Sequence, residues 1–519
     1  MVVIKANTIR TNVAANYASQ AFVAAAGLLT VPVYIRLMGA EAFGLIGFNT
    51  LLQAWFMLLD TGLTAALARQ ASLYNGGEDN ADLLAALKKV LETVFTGIGV
   101  AGALAFILLA PVVARDWLRV VALDEAQVAR SIGLMGVVVA FRWQSALYRG
   151  TITGFERQVW LGGANVVIAA LRFILPIPLL VFVDNGPVAF FGLQVVVALL
   201  EMLVMRRKVS ALMPRVVGRG VEWRVLRPVM AFSAGIAFTS IIWVLVTQSD
   251  KLILSRLLPL TEFGHYSMAV QLAMAITLLN TPFTTAILPN MTRIHAGGDP
   301  ADLMLMFRRA TQLVTLAVAP ATIVLVALGR EVLVAWTGDA ALASDVAPVL
   351  GLYATGNALM AIAALSYYLQ YAHGHVRLHI RGQLLFALLY LPLLAFGVYM
   401  AGAVGAGWCW AAANGVYLVL WAPLAVRSLT GSGIIRWLTR DIAVIIGAAA
   451  LPALALLALR PETSRFEGLA LACLLGIISL GAGLAASSLL RGPAVMRWQM
   501  LVAGAKERVV RFKDLLSLL

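Results

Sequence analysis

Charge is what this sequence has least of: 12% of its 519 residues are Asp, Glu, Lys or Arg, about half the share a soluble globular chain carries. Cysteine is nearly missing as well. Cys409 and Cys473 both sit in apolar runs, which leaves no disulfide framework and no cysteine-based metal set. No Gly-Lys dipeptide occurs, which excludes a Walker A loop and with it a built-in ATPase. No segment between apolar runs is longer than about 25 residues, too short for a soluble catalytic domain. No Ser/His/Asp set or carboxylate pair converges within one of those segments, so no catalytic residue is assigned and an enzyme is not expected.

What fills the chain instead is apolar: 61% of it is hydrophobic and the mean hydropathy is +0.90. Runs of about 20 residues recur from end to end, the length a helix needs to cross a bilayer. Lipid satisfies no backbone hydrogen bond, so these runs read as helices. Fourteen spans are predicted, at 13–35, 43–67, 90–113, 131–150, 159–183, 187–205, 229–255, 263–289, 310–328, 347–370, 383–402, 404–425, 441–459 and 468–490. The first, from Val13 to Ile35, is too long for a signal-peptide core. The expected fold class is an all-α integral membrane protein.

The basic residues set its orientation. With the N-terminus inside, 28 Lys and Arg fall on cytoplasmic segments and 8 on outer ones, and retention of Lys and Arg in the cytoplasm decides topology. Both termini are therefore expected in the cytoplasm. The net charge of +14 follows that face and its anionic headgroups, so no nucleic-acid partner is needed.

The segment 206–228 carries seven basic residues and divides the chain into comparable halves. The turn after span 1 reads Arg36-Leu37-Met38-Gly39-Ala40-Glu41-Ala42-Phe43-Gly44. The turn after span 7 reads Arg256-Leu257-Leu258-Pro259-Leu260-Thr261-Glu262-Phe263-Gly264. Arg-Leu and Phe-Gly recur at one spacing and one topological position, which supports duplication of a six-span unit. Two equally oriented halves are related by an axis along the membrane normal, around a central cavity. The expected division is a lobe at 1–205, the linker 206–228, a second lobe at 229–426, two added helices within 427–494, and a basic interfacial helix at 495–519.

Few charges lie within spans. Arg142 in span 4 and Arg172 in span 5 each cost about 2.5–3.5 kcal/mol at the bilayer centre if they face lipid. They read as a cationic cavity wall for an anionic substrate group, or as partners of carboxylates or helix-end carbonyls. Asp60, in Leu58-Leu59-Asp60-Thr61-Gly62, is a partner for Arg142, a carrier of a coupling H+ or Na+, or the cap of a break at Gly62. Asp250 and Lys251 are adjacent, about 100° apart on a helix, so they are not expected to pair. Lys251 extends the cavity wall or snorkels outward, and Asp250 is a second ion-coupling candidate. Glu92 and Glu201 are expected to reach water. His373, His375 and His379 share a turn with Arg377 and Arg381. Without acidic or cysteine partners, they read as a solvated basic turn with no metal. No cofactor is expected beyond an H+ or Na+ gradient.

The run from Asn12 to Phe48, Leu58-Leu59-Asp60-Thr61-Gly62-Leu63, and Gln248-Ser249-Asp250-Lys251-Leu252-Ile253-Leu254-Ser255-Arg256 resemble the polysaccharide-flippase (Wzx-type, O-antigen) family. The resemblance implies the MOP fold, shared with multidrug exporters and the lipid II flippase. It also implies outward translocation of an undecaprenyl-diphosphate-linked oligosaccharide across a bacterial inner membrane by alternating access. A polysaccharide polymerase and a chain-length regulator are the implied partners. Guanidinium forks suit pyrophosphate oxygens, which fits Arg142 and Arg172, and spans 13 and 14 are implied as a groove for the polyprenyl tail. The first span departs from the lipid II flippase pattern, having no basic residue between Val13 and Ile35. The alternatives are a MATE-like drug exporter, which would want cavity carboxylates, and a membrane-embedded glycan polymerase or ligase, which would want substantial outer loops.

Overall fold

The computed structural model describes residues 6–60, 62–78, 80–214, 223–430, 434–459 and 464–492. Apart from a single bridge between Arg119 and Pro259, the described residues form helices and turns. Among the described residues, ten helical stretches are long and apolar enough to cross a membrane, which makes this a multi-pass membrane protein. One of them, 377–429, contains the expected spans 11 and 12. It breaks at Ala401 and Gly402, where Gly402 adopts φ 54° and ψ −132°, a conformation only glycine takes readily. The expected span 4 is also helical but more polar, because it carries Arg142 and Arg149, and helices run through the expected spans 7 and 8, the latter interrupted at Met274. The interfacial helix expected at 495–519 lies outside the described residues, as does the 215–222 portion of the linker.

Two compact units are present, one within Met1–Leu272 and Ala387–Ala406, the other within Ala273–Phe386 and Gly407–Leu519. The first contains α1 (Ala6–Met38), α2 (Ala40–Phe56), α3 (Leu63–Asn75), α4 (Ala81–Val112), α5 (Glu125–Gly154), α6 (Gln158–Ala169), α7 (Pro176–Phe182), α8 (Pro187–Leu212) and α9 (Leu226–Leu257), and nearly all of α10 (Leu260–Ala273). The N-terminus of α5 is capped by Asp124, whose carboxylate accepts from the Gln127 backbone N–H at 3.2 Å, filling one of a helix's orphan donors. The flat Phe95 ring stacks on Trp143 at 4.1 Å, and Phe56 meets Trp143 edge-on at 5.2 Å. These aromatics bind α5 to α4 and α2.

The two repeat turns touch one another reciprocally. A Cβ on Gly44 would fall on the Leu260 carbonyl, and a Cβ on Gly264 on the Ala40 carbonyl. Positions 40 and 260, and 44 and 264, are each 220 residues apart. The match in sequence is thus a two-fold match in space, and only a residue without a side chain allows backbones this close. Nearby, the buried Glu41 carboxylate accepts from the backbone N–H groups of Val121, Ala122 and Leu123 at 2.6, 2.8 and 3.0 Å. It holds the α4–α5 loop against the start of α2.

The second unit contains α11 (Ala275–Ala296), α12 (Pro300–Ala327), α13 (Gly329–Thr337), α14 (Ala340–Ala372), both ends of α15 (Val376–Val416), α16 (Ala422–Thr430), α17 (Ile434–Arg436), α18 (Val444–Leu459) and α19 (Arg465–Ala486). Asp299 and Asp339 cap α12 and α14. The helices α18 and α19 pack beside the end of α12 through Leu328, Ala453, Ala472 and Leu475. A π-helical lead-in at 437–443 presents Asp441 to Arg308 of α12 through bonds of 2.6 and 3.0 Å.

Candidate functional site: an arginine wall in the first unit

The path of α6 into α7 explains how Arg172 is presented. Pro176 has no N–H, so the Arg172 carbonyl loses its helical donor. The backbone widens into a π turn over 170–174, closed by Leu175 N–H to the Ala170 carbonyl at 3.1 Å. The freed Arg172 carbonyl accepts from Gln194 Nε2 of α8 at 2.9 Å, and the Phe173 carbonyl accepts from the Tyr34 hydroxyl at 2.5 Å. Such bulges recur at functional sites.

Gln194 is buried and reaches the other way to Arg142 of α5. Its Oε1 accepts from the Arg142 guanidinium at 2.8 Å, and Gln53 Oε1 of α2 accepts from the same guanidinium at 3.2 Å. Arginine only donates and a carbonyl only accepts, so this network is satisfied with one orientation of the Gln194 amide. The two arginines foreseen from the sequence are thus joined through one glutamine. Neither has a carboxylate in contact among the described residues. Arg172 rests its guanidinium on the Phe173 ring at 5.0 Å, with no hydrogen-bond acceptor among those residues. The Arg142 Nε and Gln53 Nε2 atoms are buried without a partner.

Seven residues further along both helices the chemistry changes. Arg149 of α5 donates twice to Glu201 of α8, at 3.0 and 2.6 Å, and also bonds to Asn165 of α6. Seven residues are about two helical turns, so α5 and α8 run parallel, with Arg142–Gln194 and Arg149–Glu201 as successive rungs. The sequence reading sent Glu201 to water; it is buried and paired instead, because α8 turns it toward α5 and not toward the membrane surface.

The other expected residues are distributed as follows. Asp60 ends a short 3-10 turn, and its Oδ1 accepts from the Thr64 N–H at 2.9 Å. Gly62 there is left-handed, with φ 79°. This is the cap of a break; Arg142 takes its partners elsewhere. Asp250 and Lys251 do pair, contrary to expectation, at 3.5 Å. The long Lys251 stem folds back one turn to donate to the Thr247 carbonyl at 3.1 Å, which carries its ammonium past Asp250. Tyr266 donates to the second Asp250 oxygen at 2.6 Å. Lys251 is buried, so it does not snorkel. Arg36 is exposed at the end of α1, and Arg256 lies over the Trp117 ring at 5.1 Å. In the second unit, His373 stacks near His295 at 4.3 Å and His379 near Tyr367 at 4.1 Å.

The residues missed in the sequence are mostly amides. Gln194 and Gln53 interrupt apolar runs, and a polar side chain inside a span carries the same cost argument that singled out the arginines. Four buried carboxylates occur among the described residues, Glu41, Glu201, Asp250 and Asp441. Each is committed, to backbone amides, Arg149, Lys251 with Tyr266, and Arg308 respectively.

These apolar helices, with two arginines held inside the first unit, take a fold shared with solved transport proteins of the MOP superfamily. The lipid II flippase MurJ in an inward closed conformation superposes with a TM-score of 0.69 at 12% identity, covering 92% of this chain and 99% of that one. An inward-facing multidrug resistance MATE family transporter of the MOP superfamily gives 0.63 at 12% identity, covering 79% and 96%. A MOP superfamily transporter from Pyrococcus furiosus, described as having a binding pocket of reverse polarity, gives 0.55 at 14%, covering 82% and 96%. No curated protein matches the sequence. Residues 9–295 match the family described as polysaccharide biosynthesis protein, and the chain belongs to that family.

Proposed function

We propose that the protein is a flippase for undecaprenyl-diphosphate-linked oligosaccharide repeat units of O-antigen or a related polysaccharide. It moves them from the cytoplasmic to the periplasmic leaflet of a bacterial inner membrane. The observation that carries this reading is the Arg142–Gln194–Arg172 assembly. Two guanidinium groups on adjoining helices face amides and an aromatic ring while every buried carboxylate among the described residues is engaged elsewhere. A diphosphate supplies the missing negative charge, and planar forks bind its oxygens in pairs. A cationic drug would meet repulsion at the same wall, which disfavours the multidrug reading of the shared fold.

In this reading, both termini are cytoplasmic, the lobes 1–205 and 229–426 rock about the linker 206–228, and helices within 427–494 border the polyprenyl tail. The exposed apolar side chains Leu451, Leu454, Leu474 and Ile477 on α18 and α19 suit that contact with lipid. Asp60 and Asp250 are the groups for H+ or Na+ coupling, and a polymerase and chain-length regulator take the product. Translocation of labelled undecaprenyl-diphosphate oligosaccharide in sealed proteoliposomes tests the reading. Wild type is expected to transport and Arg172→Ala to lose at least about tenfold in rate, a loss of roughly 1.4 kcal/mol of interaction. Equal transport by both would remove the diphosphate from this wall.

A further inference from the structure

A concave site lies in the first unit, at the end that carries the α1–α2, α4–α5 and α9–α10 turns. Its volume is about 900 Å³, within the upper range of small-molecule pockets, and its walls are residues 114–120, Glu125 and the last turns of α9. The walls are held firmly. The Trp117 indole N–H donates to Ser255 Oγ at 3.1 Å, and the Arg256 guanidinium covers its ring. Leu260 N–H donates to the Arg119 carbonyl at 2.9 Å, and Glu41 accepts from the backbone amides of Val121, Ala122 and Leu123. Around this frame stand side chains of both signs. Arg115 is paired with its neighbour Asp116 at 3.1 Å, while the Arg119 and Glu125 side chains have no hydrogen-bonded partner among the described residues.

We infer that this cleft is a saccharide site, which on the flippase reading engages the glycan of the repeat unit on the outer side of the membrane. A bare anion would meet Arg119 and Arg256 but also Asp116 and Glu125. A sugar needs both signs, because each hydroxyl donates one hydrogen bond and accepts others. Guanidinium donors and carboxylate acceptors on one rigid frame match that pattern, and rigidity lowers the ordering cost of binding. The site is separate from the Arg142–Arg172 wall, so it reads the head of the substrate and not its diphosphate.

The test uses the full chain with Leu257→Cys in the cleft wall and Cys473→Ser to remove the exposed native thiol, Cys409 being buried. The purified protein in detergent is labelled with a polar maleimide. The probes are oligosaccharide released by mild acid from the host's own polyprenyl-diphosphate pool, and sodium pyrophosphate. The oligosaccharide is expected to slow labelling severalfold, pyrophosphate to leave it unchanged, and Asp116→Asn with Arg119→Gln to abolish the protection. No protection by oligosaccharide in monodisperse protein, protection by pyrophosphate alone, or protection that survives the double variant would each overturn the saccharide site. The probe has neither lipid nor diphosphate, so this outcome is distinct from that of the Arg172→Ala transport assay, which judges the flippase reading.

Discussion

Arg308 in the second unit meets a carboxylate, whereas Arg142 in the first meets two amides. Asp441 is fully buried and takes two bonds from Arg308, and Gln312 donates a third bond to the same carboxylate at 2.5 Å. The cluster also ties down the end of α19, since Gln312 bonds to Ser488 Oγ and to the Leu489 backbone N–H. Its charges cancel where they stand. Around Arg142 and Arg172 the polar atoms are oriented but the charge is not cancelled. One arrangement is a staple between helices; on the proposed flippase reading, the other holds cations for a ligand that brings its own negative charge. The contrast repeats on a smaller scale within α5, where Arg149 has Glu201 and Arg142, two turns away, has Gln194.

The largest expected effect comes from breaking the staple. Asp441→Asn leaves Arg308 buried without its counter-charge, and losing one partner of a buried pair costs about 3–5 kcal/mol. Thermal unfolding of the purified protein in detergent reads this directly, and the double variant Arg308→Met with Asp441→Leu is expected to recover most of the loss. Arg142→Gln should leave the unfolding temperature level or raised, since it removes a buried charge without stranding another. A comparable loss of stability in both single variants would erase the distinction between staple and ligand site.

A second substitution converts one rung into the other. Gln194→Glu gives Arg142 the partner that Arg149 already has, and the near-isosteric carboxylate keeps the bond to the guanidinium. It gives up the donor to the Arg172 carbonyl, a loss of about 1–3 kcal/mol for an unsatisfied buried acceptor, set against a new charge-assisted bond. Stability is therefore expected to change little while, on the proposed reading, transport of the diphosphate-linked substrate falls, because the Arg142 charge is neutralised by its own neighbour. Undiminished transport by this variant would mean that positive charge at Arg142 is not what the substrate meets.

Much of this architecture was open to sequence reasoning, and the failures have physical reasons. Span positions and the repeat came from hydrophobic length and a nine-residue echo. The same echo marked Gly44 and Gly264, although only the folded backbone shows that each glycine faces the other's turn. Arg142 and Arg172 stood out because an isolated charge in an apolar run is costly wherever it points. Their glutamine partners did not, since the cost of an amide is smaller and its direction along a helix is set by packing. Lys251 was misjudged from helix geometry at the Cα level: the angle between adjacent residues is real, but a four-carbon stem can bend back across it. Glu201 was misjudged from depth alone, with no account of the face on which α8 meets α5.

Asp60 offers the smallest and most discriminating comparison, because its structural role and its proposed ion-coupling role need different things from the side chain. The cap of α3 needs only an oxygen that accepts from Thr64 N–H, which asparagine supplies as well as aspartate. Coupling to H+ or Na+ needs a group that changes or balances charge, which asparagine cannot do. Asp60→Asn should therefore hold the wild-type unfolding temperature, whereas Asp60→Ala should lose about 1 kcal/mol with the cap. Transport in proteoliposomes with an imposed H+ or Na+ gradient then separates the roles. If Asp60→Asn transports but no longer responds to the gradient, the carboxylate carries the coupling. If its response matches wild type while Asp60→Ala is merely less stable, the residue only ends one helix and starts the next, and Asp250 beside Lys251 and Tyr266 is left as the coupling group to test.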